Sequence, residues 1–516
     1  MKHGVEWSIV SFLVLIALTA GVFAEDGPLT PEAVAKIRSE FQMDAHARAT
    51  RNALTSAGIK DISENREILA DHDSKFSHKI KTKGISNQKG SGRCWMFAGF
   101  NMIKPVLVNK LELDDFEFSQ IYLQFWDKME KANKFLECMI EFRDRDLLDR
   151  DVVFLLQDPC PDGGYFENFA DLVGKYGVVP REVMAETASS EGTGMMNRLL
   201  GRLLRRHAAE LREIYKDTGS VKQMRLAKER MMAEVYRMLV LNLGEPPAEF
   251  TWRHTGKGSE LKDEDKDADE EADEEDDDAD DDEEDDEDDD EEGDDDGDDE
   301  SEDKPKDDYK VQQKWSEARV YTPQSFYSEF VGLDLREFVN IGDDPMRPKG
   351  KHLEIDLTKS LYEGRNLNYA NVETQTLKDL VIKVLMDNKA VCFDADVSPD
   401  QDSGKGIMAR NLYDYESVYD LDLGLAKTER LLFRDGTINH GMVFVGVDLQ
   451  DGKPVKWLVE NSWGSDRGKG GLWTMYDDWF EDNVYKIIVH RDYVPEEILQ
   501  ILEQPAEKLP VWDPMW

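Results

Sequence analysis

Between Asp263 and Asp303 the chain carries 34 Asp or Glu residues and a single Lys, a local charge of −33. Like charges at that density repel, and there are almost no apolar side chains to remove from water, so this tract cannot join a packed core. It reads as a disordered insertion, 259–308, in a surface loop. A hairpin tip suits it, because extra chain there costs little stability. The foldable sequence is thereby divided into two stretches. Of the formal net charge of −46, only −13 is left on the other residues. The body is thus moderately acidic and lacks the basic surplus that a nucleic-acid partner calls for. Dense carboxylates bind hard cations only weakly when no geometry is imposed. Weak cation binding is therefore one expectation for the tract, and a merely solvating loop is the other.

The first 24 residues read as a secretory signal. Lys2 and His3 precede an apolar run from Ile9 to Phe23, and Val22 and Ala24 are the small residues expected before a cut at Glu25. The run is short for a membrane span, and no later segment is apolar enough for one. The mature chain is expected to be secreted, or to lie in a secretory or lysosome-like lumen (the periplasm in a bacterium). Four cysteines, Cys94, Cys138, Cys160 and Cys392, show neither a C-x-x-C pair nor metal spacing. A disulfide among the last three is conceivable, but isolated thiols are the expectation in a chain this large. No metal and no cofactor is called for.

The two stretches differ in pattern. The first is helical: an amphipathic stretch Ala33–Ala53, a helix opening at Cys94, an aromatic-rich helix over Phe118–Phe135, and more helix from Met195 to Leu243. The second is strand-rich, with short apolar runs at Ala390–Ala395, Gly441–Val447, Lys456–Asn461, Gly471–Met475 and Val484–Val489. Phe250–Trp252 reads as a short strand before the acidic tract. An apolar tail, Lys508–Trp516, is expected to dock on the body.

Gln88-Lys-Gly-Ser-Gly-Arg-Cys94 places a thiol after a glycine-containing loop, at the start of a helix. A helix N-terminus stabilises a thiolate, and the Gln88 amide could meet a carbonyl oxygen that turns negative. Taken alone, Cys94 reads first as a buried structural thiol. His440 precedes one β-run and Asn461 ends another 21 residues later, so neighbouring strands could bring them together. Asn461 would hold one imidazole nitrogen and leave the other for Cys94, while Trp463 covers that bond from water. His440 would take the Cys94 proton, the thiolate would attack a peptide carbonyl, and Gln88 with the Cys94 N–H would receive the oxyanion. Each residue has a structural alternative: a core histidine, a turn asparagine, a loop glutamine.

Gln88-x5-Cys94-Trp95, His440 and Asn461-Ser-Trp-Gly464 resemble the papain-like cysteine peptidases. The Gly-Arg-Cys-Trp wording and the Cys-to-His separation of 346 residues are similar to the bleomycin hydrolase and aminopeptidase C branch. Ser119–Leu123, Asp162–Gly164, Lys175–Val178, Asn411–Asp414 and Trp512–Met515 add to the resemblance. It implies an α+β, two-lobed fold with the site in the cleft. The segments would be a signal 1–24, an N-terminal arm 25–80, a helical left lobe 81–180 with Cys94, a helical insert 181–330, a β-rich right lobe 331–498 with His440 and Asn461, and a C-terminal arm 499–516. It further implies peptide substrates, backbone bonds from Gly163 and Gly164 to a bound peptide, and a homo-oligomer, hexameric in this branch. The C-terminal arm would lie in the cleft and read the substrate's free amine, which makes Trp516 a substrate-binding residue and the activity that of an aminopeptidase. The signal, the acidic tract and the tail at Trp516 depart from the branch. An endopeptidase with an open cleft, or an inactive cation- or protein-binding relative, are the other readings.

Overall fold

The structure, a computed structural model, describes residues 28–256 and 315–516. The signal read at 1–24 and the acidic tract lie outside the described residues.

Residues 28–71 form one compact unit together with Asn411–Gly424. The expected single stretch Ala33–Ala53 is two helices, Pro31–Glu40 and Ala45–Leu54. The break follows from Asp44, whose carboxylate accepts the Ala47 N–H and so starts the second helix afresh. The segment Asn411–Gly424, assigned from sequence to the β-rich lobe, joins the arm through backbone bonds. The Asn65 N–H donates to Leu412 O at 2.9 Å and the Asp414 N–H to Ser63 O at 2.7 Å. Bonds between residues so far apart in sequence leave no local pattern to read.

The second unit comprises His72–Arg410 and Leu425–Trp516. Its helical part is built on Cys94–Leu111 and Gln120–Glu141, the latter capped by Ser119. Cys94–Leu111 is apolar on nearly every face, as a helix sunk in a core should be. Gly194–Thr218 and Val221–Leu243 form a helical hairpin, turned by Gly219 in the left-handed region and restarted by the Ser220 cap. Phe250–Trp252 pairs antiparallel with Arg319–Tyr321, Phe250 opposite Tyr321. Residues 257–314, which include the acidic tract, thus connect the two strands of one hairpin.

The β-rich part is a twelve-stranded mixed sheet. At its centre lie Val484–His490, Val391–Ala395, His440–Gln450 and Lys453–Glu460, in that order and all antiparallel. Alternate side chains enter different cores, as the two-residue period requires. Val443, Val445, Cys392 and Ile488 join the core around Cys94–Leu111. Met442, Phe444, Phe393 and Ile487 join a second core with Leu377 and Val381 of the helix Thr374–Met386. Burial on both faces explains why these strands read as continuous apolar runs rather than alternating ones.

Candidate active site

Cys94 is the first residue of its helix and is half-buried. The loop before it is held from three sides. The Gln88 N–H donates to Ser462 O at 2.8 Å, and the Ser462 hydroxyl donates to Gln88 Oε1 at 2.7 Å. Gln88 Nε2 donates to Ser91 O at 2.7 Å, which leaves its second hydrogen available. Arg93, 1 % exposed, spends every donor nitrogen on the surrounding segments: Nη1 and Nη2 on Glu186, Nη1 also on Gln124, Nη2 also on Ser190 O, and Nε on the Ser91 hydroxyl. These bonds tie the loop, and with it Cys94, to the segments around it.

His440 starts its strand and Asn461 follows the end of the next, and the pairing of the two strands brings their side chains to 2.8 Å, His440 Nε2 to Asn461 Oδ1. The Ser462 N–H also reaches Asn461 Oδ1, at 2.8 Å. A backbone N–H can only donate, so the atom it meets is the amide oxygen, and that oxygen takes the Nε2 proton. Nδ1 is left as the basic nitrogen. Trp463 covers the ring, its centroid 4.9 Å away, and is itself backed by Trp473. The next residue, Gly441, brings this strand against the start of the Cys94 helix: a Cβ on it would stand 3.6 Å from Trp95 Cα and 3.7 Å from Trp95 N. Burial pushes the Cys94 thiol up to about 11, against the pull of nearby backbone N–H groups and with the help of the Asp394 charge. Burial also pulls His440 down to about 4, opposed by the Asn461 bond and by Asp394. Between these values the thiol keeps its proton and the imidazole is neutral.

The turn Asp158–Gly164 packs on the residues either side of Cys94. Lys128, fully buried, reaches Asp162 Oδ1 at 2.7 Å and Cys160 O at 3.0 Å. Lys131 donates to Pro161 O and Gly163 O. Although burial opposes it, Lys128 holds the Asp162 carboxyl well below the usual range. Asp162 in turn accepts the Gly92 N–H through Oδ2 and the Trp95 indole N–H through its carbonyl. The two glycines differ. A Cβ on Gly164 would stand 2.6 Å from the Trp95 indole, whereas one on Gly163 would meet nothing within 4 Å. Gly164 makes room for packing, and Gly163 faces open space.

The model of the peptidase C1-like family matches residues 28–272 and 305–516. The chain belongs to this family. Among curated relatives, aminopeptidase C of Lactobacillus helveticus is 31% identical over 490 residues, covering 94% of this chain and 97% of the relative. Human bleomycin hydrolase is 32% identical over 500 residues, with coverage of 94% and 98%. A crystal structure of PepW from Lactobacillus rhamnosis HN001 matches with a TM-score of 0.81 and 31% identity, over 95% of this chain and 98% of that one. The fold is papain-like, within the bleomycin hydrolase and aminopeptidase C branch, and the protein is a cysteine peptidase.

The tail of this peptidase docks on the β-rich part. Glu507–Leu509 adds a parallel strand beside Lys351–Ile355. Asp513, 5 % exposed, pairs with Arg347, which also meets the buried Asp344. Met515 is fully buried in a cluster that also receives Tyr165 and Ile438, close in sequence to Gly164 and His440 respectively. Trp516 sets its ring edge-to-face on Phe154, centroids 5.4 Å apart, and stays partly exposed. All four cysteines are free thiols. Sequence reasoning missed Lys128, Lys131 and Asp162 as supports of the site. Nothing local in Asp127-Lys-Met-Glu-Lys131 reveals that the carbonyls of a later turn will bury and satisfy both lysines.

Proposed function

We propose that this peptidase is a cysteine aminopeptidase in which Cys94 is the nucleophile, His440 the general base and acid, Asn461 the group that orients His440, and Gln88 an oxyanion donor. The observation that carries the reading is the Asn461 oxygen, which accepts from both His440 Nε2 and the Ser462 N–H and so leaves Nδ1 basic, on a strand whose next residue, Gly441, lies against the start of the Cys94 helix. His440 takes the thiol proton as sulfur attacks a peptide carbonyl. The oxyanion is met by the Cys94 N–H and the free Gln88 Nε2 hydrogen. His440 returns the proton to the leaving amine, and water, deprotonated by His440, hydrolyses the thioester. Gly163 would let a peptide main chain approach like an added strand, its open face being free of side chain. The aminopeptidase part draws on the names of the curated relatives and on the tail that packs with Tyr165 and Ile438.

Three further parts of the reading rest on sequence and resemblance. The apolar run before Ala24 supports a secretory or luminal location. The branch supports a hexamer, and exposed apolar residues such as Leu148 and Phe433 favour self-association of some kind. The dense carboxylates of the acidic tract support weak affinity for cations.

Turnover of peptides with free and with blocked amino termini tests the core of this. Cys94→Ala should abolish it. Unchanged turnover would end the mechanism, and cleavage of blocked peptides alone would end the aminopeptidase reading.

A further inference from the structure

Asp394 and Lys486 form a charged pair beside Cys94 that peptide hydrolysis as described leaves unused. Cys392 and Asp394 stand two residues apart on Val391–Ala395 and so share a face of the sheet. The Cys392 thiol donates to Ala98 O at 3.1 Å, so that face looks onto the Cys94 helix. Asp394 lies directly opposite Gly441 in the register, towards the start of that helix. The missing side chain at Gly441 leaves the space open: a Cβ there would stand 3.3 Å from Asp394 Oδ1 and 3.6 Å from Trp95 Cα. The other four residues of the strand are buried, while the Asp394 side chain keeps 18% exposure.

Lys486 stands behind it, fully buried, with Nζ 3.3 Å from Asp394 Oδ2 and 5.0 Å from the centroid of the Tyr165 ring. Its ammonium makes no hydrogen bond among the described residues. A buried ion pair of such loose geometry is a poor source of stability, and a carboxylate next to the thiol opposes thiolate formation. Both costs are offset when a cation arrives at the carboxylate. Tyr165 directly follows the Gly163–Gly164 turn, so the pair borders the wall along which a substrate main chain would run.

We propose that Asp394, held in place by Lys486, determines specificity by receiving an ammonium group of the substrate, either its free α-amine or a basic side chain. The inference rests on the reading that Cys94 is the nucleophile. Both sources offer the same charge-assisted N–H donors.

Two ratios of kcat/KM separate them. Leucyl-aminomethylcoumarin over its desamino analogue reports the α-amine, and lysyl- over norleucyl-aminomethylcoumarin reports the side chain. Asp394→Asn leaves the Lys486 charge buried and alone, so Asp394→Asn/Lys486→Met is measured beside it to guard against misfolding. At least one ratio should be well above one in the unaltered chain and should fall about tenfold or more in a folded variant. Both ratios within twofold of the unaltered chain in a folded, active variant would overturn the proposal and leave the Cys94 reading standing. So would ratios near one in the unaltered chain. Turnover that survives Cys94→Ala would remove the underlying reading instead.

Discussion

Arg93 meets Glu186 through two parallel bonds, of 3.0 and 2.9 Å, with both side chains almost fully out of water. The pair joins the residue just before Cys94 to the segment leading into the helical hairpin. Removing one partner leaves the other charge buried, which costs about 3–5 kcal/mol. Arg93→Met is expected to lower the unfolding free energy by that order and to cut kcat through a loosened Gln88–Arg93 loop. Glu186→Gln should move both in the same direction. Denaturant unfolding of the two single variants and the double one checks this, the double costing clearly less than the sum.

The titration of Cys94 and His440 sets the pH range of activity. His440, lowered to about 4 by burial, should govern the acid limb of kcat/KM, and Cys94, raised to about 11, the alkaline limb. A plateau across neutrality is therefore expected. Asn461→Ala removes a bond that raises the His440 pKa, so the acid limb should shift further down while kcat/KM falls about 100-fold. A pH–rate profile of each form measures both effects.

Gly163 and Gly164 should respond oppositely to alanine. Gly164→Ala drives a methyl into the Trp95 indole and is expected to destabilise by about 1–3 kcal/mol. Gly163→Ala has open space, so thermal stability should hold while KM rises as the methyl obstructs the peptide. Melting curves together with KM for one unblocked substrate would show the contrast.

Glu460, next to Asn461, is buried, and burial raises its carboxyl to about 7 although Lys104 pulls the other way. The folded state then binds a proton that the unfolded state has lost. Stability from this group is complete below the ordinary carboxyl pKa and disappears as pH rises through 7. Glu460→Gln should therefore raise Tm at pH 8 by about 2 °C more than at pH 5. Calorimetry at the two pH values tests it.

Local chemistry was legible along the chain. The Cys94 helix, the apolar runs that became central strands, the hairpin around the acidic tract and the family resemblance all show in patterns of a few residues. The amphipathic stretch Ala33–Ala53 is divided at Asp44, because a side-chain cap competes with helix continuation and periodicity does not register it. The segment Asn411–Gly424 went astray for a different reason: its partners are backbone groups about 350 positions earlier.

Sequence alone determined which residue types were present for thiol chemistry. Only tertiary structure decided what each was beside. Strand register brought His440 to Asn461 and Asp394 to Gly441, and close packing made Arg93, Lys128 and Lys131 buried ties. Charge and propensity belong to a residue, whereas burial, hydrogen-bond partners and the pKa shifts that follow from them belong to the surroundings.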